Sequence, residues 1–545
     1  YGEYNMGLDP VTKFFIKLAI SLYSYNQQRK AQKKAERAAR ASRSNVLVNK
    51  QSNSDPIYAL YGKQRMGGTR VYVESSDGAG VITDKTTKLN MVLAMCEGEI
   101  GTVKVLYFNE TIVWDVDDGG TLTANGNGGY TLAGFTSKYA NYIICNWYPG
   151  TTTQTVDTAM QTSVNSTTAV DATTIQKDKS YKIVTVGTTD YTTVGSPNNT
   201  VGTVFLATDT PTGDGTVNLT PWTDAHRLQG VCYFAMQLEA NGEAFGGQLP
   251  VMTMILEGKK ILDVSTLVNG DVIGDMTAGN YTTSSNQNPA NILYDYLISD
   301  IYGKGLDRDA NGNWVAGTNV NLASFQQAKI DCDAARSAAG YPLNGFLQTE
   351  RQLFDNVGEI METCNGMMLF VDGQYQFRIR KKNEEVGIPT SAIFDKNTII
   401  GVIRLGLPDK SRKLNKAQGN FNNPNTNYND DIVIYNNPAY AIEDNGSILE
   451  ATEDYTMITD STLVTDLITQ TVDISRNEQT VQFEAAHTAL LLKSGDIIEV
   501  VSSELGWGPD ESPANRKYFR VQELTLTEEN TVDITATTYN SAEEL

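Results

Sequence analysis

The first residues of the chain carry hydrophobic side chains at the spacing of an α-helix. They fall at i, i+3, i+4, i+7 and i+11, and they are Val11, Phe14, Phe15, Leu18 and Leu22. Residues at these spacings share one helical face. Asp9-Pro10 supplies an N-cap and a proline at the first helical position, and 27–43 continue in Ala, Lys and Arg without an apolar stripe. Residues 1–44 are therefore predicted to form an amphipathic helix that continues as a basic arm.

The apolar face of this helix needs a partner, and three kinds fit. It can lie on the body of its own chain, pack against partner helices or symmetry mates, or lie on a membrane surface. We favour contact with protein, because the rest of the chain is typical of a structural protein. The run Phe14–Leu22 contains Lys17 and is far shorter than the roughly 20 residues of a membrane span. Because the sequence begins at Tyr1 rather than Met, we expect a longer gene product.

From Asn45 the pattern changes to short alternating strands separated by glycine-containing turns, which is typical of β structure. Residues 45–150 are predicted to begin a first β domain that 223–285 complete. Within it, the apolar strand Leu89–Met95 leads into a turn at Cys96–Gly101. The Thr-rich residues 151–222 between the two parts are predicted to be an inserted β module. Either a passive surface module or a carbohydrate-binding module fits this composition.

Helical and hairpin patterns follow, and the chain then returns to strands. Residues 286–398 predict an α/β domain that contains an apolar hairpin, Met367–Ile379, turning at Asp372-Gly373. Residues 399–545 predict a closing β domain, with a polar, Asn-rich loop at Gly419–Asp431. Its predicted strands include Thr480–Ala485, Thr531–Thr538 and Ile497–Val500, which follows a tight turn at Gly495-Asp496. The predicted fold class is thus mainly β with α/β inserts (α+β), in several domains.

Composition favours a folded, multidomain and acidic protein. With 545 residues, 40% hydrophobic and 20% charged, the chain is too long for one core and well away from disorder. Residues 9–44 hold nine Lys or Arg against two acids, a net of +7. With Glu3 included, residues 1–44 have a net charge of +6. Because the whole chain has a net charge of −21, the residues from Asn45 onward have a net charge of −27. This acidic body argues against a nucleic-acid-binding surface, because phosphate recognition needs positive charge.

Residues suited to metal binding or catalysis are scarce. The chain has only two histidines, too few for most histidine-based zinc sites and with little choice of a base for a catalytic triad. The five cysteines lack C-x-x-C spacing, so buried reduced thiols are expected, with an inter-chain disulfide or a shared iron–sulfur site as the alternative. They are Cys96, Cys145, Cys232, Cys332 and Cys364.

One segment resembles a calcium loop without completing it. Asp307–Asn313 has the D-x-D-x-N-G pattern, but Thr318 stands where a bidentate acid is required, so a surface loop is favoured. No acidic pair stands out as a glycosidase site, and phosphate loops, G-x-S-x-G and H-E-x-x-H are absent from the sequence. We predict no enzyme activity, no metal and no cofactor.

The order of elements in the second half resembles a known family. Asn288–Leu297, Ile301–Leu306 and Leu353–Met361 precede the Met367–Ile379 hairpin. That order, together with the Gly495-Asp496 turn, is similar to the lambda-type tip attachment protein J family, the central hub of long-tailed phage tail tips. The turn at Cys96–Gly101 also resembles the family, with Cys96 where a serine is common.

This resemblance implies a structural role in a virion, at the phage tail tip. Such hubs are homotrimers with two tube-like β domains per chain, so three chains form a pseudo-sixfold ring that continues the tail tube. The implied partners are the distal tail protein, the tape-measure protein in the lumen and a tail fibre or separate receptor-binding protein, with DNA only in transit. The helix face at 11–22 would meet tape-measure helices or symmetry mates, with membrane contact during infection as the alternative.

Two other functions are carried as competitors. One is a virion-associated peptidoglycan or capsule hydrolase. The other is a receptor-binding adhesin in which the Thr-rich module is the binding element. Under the hub hypothesis, acidic lumen walls would repel the DNA backbone and let it slide during ejection.

Overall fold

Strands dominate the architecture. The computed structural model describes residues 49–51, 56–77, 88–245, 249–273, 281–282, 286–406, 413–508, 515–527 and 530–545. These residues belong to one compact unit, Val48–Leu545. Within them lie thirty β-strands and seven α-helices. The expected fold class, mainly β with added helices, is confirmed. The predicted N-terminal helix lies outside the described residues.

The first half of the described chain is mostly strand. Its elements are β1 (Lys50–Gln51), β2 (Tyr58–Tyr61), β3 (Lys63–Gly67), β4 (Thr69–Ser76), β5 (Lys88–Glu97), β6 (Ile100–Phe108), β7 (Thr111–Asp115), β8 (Thr121–Ala124), β9 (Tyr130–Ala133), β10 (Ile143–Tyr148), α1 (Thr158–Val164), β11 (Val170–Asp171), β12 (Ser180–Thr185), β13 (Val204–Leu206), β14 (Thr216–Leu219), β15 (Val231–Glu239), α2 (Gly242–Phe245), β16 (Met252–Lys259), β17 (Ile261–Leu262) and β18 (Tyr281–Thr282).

Helices are concentrated in the second half. Its elements are α3 (Pro289–Ile298), α4 (Leu322–Ala338), β19 (Gly345–Gln348), α5 (Leu353–Glu362), β20 (Gly366–Val371), β21 (Gln374–Ile379), β22 (Ile393–Phe394), β23 (Ile399–Gly406), β24 (Lys416–Asn423), β25 (Asn429–Asn436), α6 (Pro438–Glu443), β26 (Glu450–Asp454), α7 (Ser461–Asn477), β27 (Thr480–Ala485), β28 (Ile497–Val500), β29 (Tyr518–Leu526) and β30 (Val532–Tyr539).

Two sheets form the first β region. The larger has nine strands, in the order β1-β4-β5-β15-β10-β9-β8, and β2 joins it beside β5 and carries β19 on its other side. The smaller has the order β3-β16-β6-β7. Strand β5 is buried from Asn90 to Cys96, as its nearly continuous apolar sequence predicts. Because β19 pairs with β2, the α/β region is hydrogen-bonded directly to the first sheet.

The Thr-rich module has a sheet and a core of its own. Its strands run in the order β11-β14-β12-β13 and enclose a small cluster that includes Tyr181, Tyr191 and Phe205. Helix α1 belongs to the host instead, because Met160 and Val164 pack with residues of the large sheet. The Ser166 amide donates to the Leu219 carbonyl at 2.8 Å. The module therefore leaves and re-enters the host at one point.

Helix α3 is the centre of the largest core. Asn288 caps it, Pro289 occupies its first turn, and all ten of its residues are buried. The same hydrophobic cluster continues from β2 and β17 through α3, α4 and α5 to β24 and α7. The largest core is therefore continuous across the first β region, the α/β region and the closing region.

The closing region contains the predicted strands. A six-stranded sheet has the order β22-β28-β29-β30-β27-β23, and the predicted strands Thr480–Ala485 and Ile497–Val500 are β27 and β28 within it. Its core includes Phe394, Phe483 and Phe519. A three-stranded sheet, β25-β24-β26, packs against α7.

The predicted Asn-rich loop at Gly419–Asp431 is wrong. This segment is the β24–β25 hairpin, with only a short turn between the strands. Asn420 is buried and its amide donates to the Asp454 carboxylate at 2.6 Å, while Asn423 caps the turn. Asp454 of β26 and Asp431 of β25 satisfy the amides of Asn420 and Asn423, so the tertiary environment overrides the low strand propensity of asparagine.

Because the inserted module has its own core, we expect that the module can be deleted without unfolding the host domain. Joining residue 166 to 219 through a short Gly-Ser link, with 167–218 deleted, should move the melting temperature of the host by less than about 2 °C. Deleting 151–220 removes Met160 and Val164, which are fully buried. Losing buried side chains costs about 2–5 kcal/mol each, and 1 kcal/mol shifts the melting temperature of a protein of this size by roughly 1 °C, so that variant should melt roughly 4–10 °C lower. Calorimetry of both variants checks this, and equal melting temperatures would contradict a module boundary at Ser166.

Candidate functional site

The residues predicted from the sequence to contact a partner are not among those described. Val11, Phe14, Phe15, Leu18 and Leu22 all precede residue 49, so their role stays a prediction. The described part of the chain offers three other candidates: a buried polar junction, a set of cysteines and several exposed apolar strand edges.

The buried polar junction joins β2, β16 and α3 around one ion pair. Lys259 Nζ lies 3.1 and 3.0 Å from the two carboxylate oxygens of Asp295 and 2.5 Å from the Tyr302 hydroxyl oxygen. Tyr61 donates its hydroxyl to the same carboxylate at 2.7 Å. All four residues are buried. The three donors of the ammonium group therefore all have partners within the protein.

Burial and charge act in opposite directions on this amine. Burial alone would lower the pKa of Lys259, but the neighbouring Asp295 carboxylate and Tyr302 hydroxyl raise it above its ordinary value. Burial, with the nearby Asp295 charge, raises the pKa of Tyr302 to about 12. Lys259 is thus protonated and Tyr302 neutral at neutral pH. The junction can hold elements together, and its enclosure leaves it no access for a substrate.

The glycine turn noticed in the sequence packs against this junction. Gly98 has a φ of +82°, which favours glycine, and a Cβ there would lie 2.9 Å from Lys259 Cε. Next to it, the Lys260 amide donates to the Glu99 carbonyl at 2.8 Å and the Lys260 side chain pairs with the Glu99 carboxylate. The sequence indicated a turn here, but the two lysines that hold it come from far along the chain.

The calcium-like segment is a structural loop. The buried Asp307 carboxylate accepts the Tyr294 hydroxyl at 2.8 Å, and it also accepts backbone N–H groups of residues 317, 319 and 320 at 2.7–3.1 Å. Asp309 accepts the amides of Asn311 and Asn313. Both Asp307 oxygens thus bind protein donors, as expected of a loop. Among the described residues, no group of acids, histidines and cysteines is placed to hold a metal ion.

Four of the cysteines lie in two close pairs. All five are free and buried, as expected. Cys96 stands opposite Cys232 on β5 and β15, and a hydrogen bond from that partner, with burial, raises the pKa of the Cys96 thiol. Burial and the neighbouring Cys364 thiol raise the pKa of Cys332. The raised pKa values keep the Cys96 and Cys332 thiols protonated and weakly reactive.

Several strand edges expose apolar side chains, those of β23 and β25 among them. Strand β23 lies at the edge of the six-stranded sheet and exposes Ile400 and Val402, the latter 70% exposed, beside a bulge at Gly401. Strand β25 lies at the edge of the three-stranded sheet and exposes Ile432 and Ile434. Unpaired strand edges of this kind can pair with another chain. Sequence reasoning missed the second one because it placed a loop there.

No helix in the described ranges is both long and apolar enough to cross a membrane.

Comparison with known proteins gives a likeness of fold. No family model and no curated protein matches the chain. A chain from the virion of a native gene transfer agent particle matches with a TM-score of 0.52 and 11% identity, over 91% of this chain and 87% of that chain. Prophage tail protein gp18 from Listeria monocytogenes EGD-e matches with a TM-score of 0.21 and 12% identity, over 36% of this chain and 57% of that one. The 43 kDa tail protein of prophage MuSo2 from Shewanella oneidensis matches with a TM-score of 0.27 and 6% identity, over 89% of this chain and 96% of that chain.

Of these three matches, only the one to the gene transfer agent chain has a TM-score high enough to indicate a shared fold. It runs along nearly the whole of both chains, so this protein shares its overall fold with a virion component. The low TM-scores of the two prophage proteins carry no argument. The more specific relation to the lambda-type J family stays a prediction.

The polar junction predicts a large cost for losing one charge. In Asp295→Asn, Lys259 keeps its burial without its counter-charge, which should destabilise the fold by about 3–5 kcal/mol. Burial is then opposed only by the Tyr302 hydroxyl, so the folded-state pKa of the amine should fall below the unfolded value of about 10.4. The penalty should therefore be full at neutral pH and shrink as pH approaches that value.

Urea unfolding at pH 7 and pH 9.5 measures this effect. Asp300→Asn is the matched control, because Asp300 pairs with Arg308 on the surface and should cost at most about 1 kcal/mol. A similar small cost for both variants would show that the buried pair does not hold the junction.

Proposed function

We propose that the chain is a structural protein of a phage-like tail and, more specifically, the trimeric central hub of the tail tip. The observation that carries the proposal is the likeness of fold to a virion chain, which covers 91% of this chain. In this role the hub joins the tail tube and distal tail protein to the tip. It closes the lumen on the tape-measure protein and opens for DNA ejection, and a tail fibre or separate receptor-binding protein completes the tip.

The arrangement of sheets supports two tube-like domains in each chain. The first would be 45–150 with 223–285, interrupted by the module at 151–222, and the second would be 399–545. The α/β region at 286–398 lies between them, and its helix α3 shares one core with both flanking regions. Three such chains would present six β domains, which is the symmetry a hexameric tube requires of a trimeric cap. The N-terminal helix face at 11–22 would close the lumen.

Charge and exposed edges support assembly around passing DNA. The −27 carried from Asn45 onward would line a channel that repels the DNA backbone, so DNA passes without adhering. The exposed apolar residues of β23 and β25 would be covered by neighbouring subunits or tail proteins, because association buries such edges.

The proposal predicts a trimer that depends on β23. Light scattering of the purified chain should give about three times 59.6 kDa. Ile400→Lys with Val402→Lys places two charges on the exposed edge and should raise the dissociation constant at least tenfold, since each apolar side chain lost from a contact is worth about 1.5–3 kcal/mol. Its melting temperature as a monomer should stay unchanged.

Val201→Lys is the control, because Val201 is similarly exposed but lies on the inserted module. It should leave the trimer intact. A monomeric wild-type chain would contradict the trimeric hub, and an unaffected double variant would contradict contact through β23.

A further inference from the structure

A polar cleft lies where the inserted module meets its host. Its volume is about 540 Å³, and its walls are the exposed side of α1, the connecting segments and the outer face of the module's sheet. We propose that this cleft, called here the module cleft, binds a saccharide of one or two sugar units. The proposal is independent of the tail-hub proposal.

One wall of the module cleft follows from strand register. Lys182 on β12 pairs with Val204 on one side and Asn218 on the other. Its neighbours Tyr181 and Ile183 are buried in the module's core. Because side chains alternate along a strand, the row Val204–Lys182–Asn218 faces away from that core and towards α1.

The opposite wall is fixed by hydrogen bonds that set the angle of the module. Asn165, at the end of α1, donates its amide to the Trp222 carbonyl at 2.8 Å and accepts the Trp222 N–H at 3.0 Å. Gln161 donates to an oxygen of Asp224 at 2.8 Å and so orients that carboxylate beside the cleft. The walls are therefore built before any ligand arrives, which reduces the entropy lost on binding.

An unsatisfied acceptor points to a ligand. The side-chain oxygen of Asn218 is buried and has no hydrogen-bond partner among the described residues. Buried acceptors without partners are unfavourable, so little is lost when the Asn218 amide, which is on the cleft wall, turns to accept a hydrogen bond from a ligand hydroxyl. On the same wall, the exposed Lys182 ammonium can donate to a ligand oxygen.

The lining selects a hydroxyl-rich, uncharged ligand. It consists mainly of amide and hydroxyl side chains with one ammonium, Lys182, and one carboxylate, Asp224. Nucleic acid and phosphate require a surplus of positive charge, which this lining does not have. Its volume lies within the range of about 300–1,000 Å³ typical of small-ligand sites. Exposed Val204 offers a small apolar surface for the C–H face of a sugar ring.

Saccharide binding is tested on the full-length chain. Saturation-transfer NMR with glucose, galactose, mannose, N-acetylglucosamine, maltose and N,N′-diacetylchitobiose identifies a binder, and calorimetry measures its affinity. We expect at least one of these sugars to bind. Asn218→Leu removes the unsatisfied acceptor and should weaken that binding at least tenfold. Thr162→Arg fills the cleft from an exposed position of α1, away from any core, and should abolish it.

Lys177→Ala is the control, because Lys177 is an exposed lysine of the same module outside the cleft lining. It should leave the affinity unchanged. The inference is overturned if none of the six sugars binds, or if a bound sugar is insensitive to Thr162→Arg. Light scattering on the same samples reports the trimer separately, so failure of saccharide binding is distinguishable from failure of the hub proposal.

Discussion

The buried pair of Lys259 and Asp295 is the constraint on which the described fold depends. It joins the end of β16 to the middle of α3, and Tyr61 attaches β2 to the same carboxylate. A buried charge without its counter-charge is strongly destabilising, so conformations that separate Lys259 from Asp295 are disfavoured. The register of β16, the seating of α3 and the Gly98 turn against the lysine stem are therefore coupled. Since α3 is also the centre of the largest core, losing this ion pair would disturb the packing of both β regions.

Local signals in the sequence predicted much of the fold, and long-range partners decided the rest. Asp372-Gly373 marked the β20–β21 hairpin and Gly495-Asp496 marked the start of β28, because tight turns depend on neighbouring residues. The β24–β25 hairpin was missed because the buried amide of Asn420 is satisfied by Asp454 of β26, a strand that the sequence does not place beside it. Neither the Lys259–Asp295 pair nor the module cleft could be predicted, since each joins side chains that only the folded sheets bring together.

The scaffold and the inserted module are structurally separate parts of this chain. The α3 core and the two sheet systems form a scaffold whose edge strands, β23 and β25, remain uncovered within the described chain. The inserted module has its own core and is attached at one point, so it can change without disturbing the scaffold. That separation suits a particle component that assembles with some surfaces and presents others.

The location of the chain in a particle tests the central claim most directly. Particles carrying a small epitope tag in the inserted module, labelled with gold-conjugated antibody, should show the label at the tail end furthest from the capsid. Cryo-electron microscopy of that end should show threefold density into which the chain fits. Label on the capsid or along the tube, or purified particles that lack the chain, would contradict the assignment to a tail-tip hub.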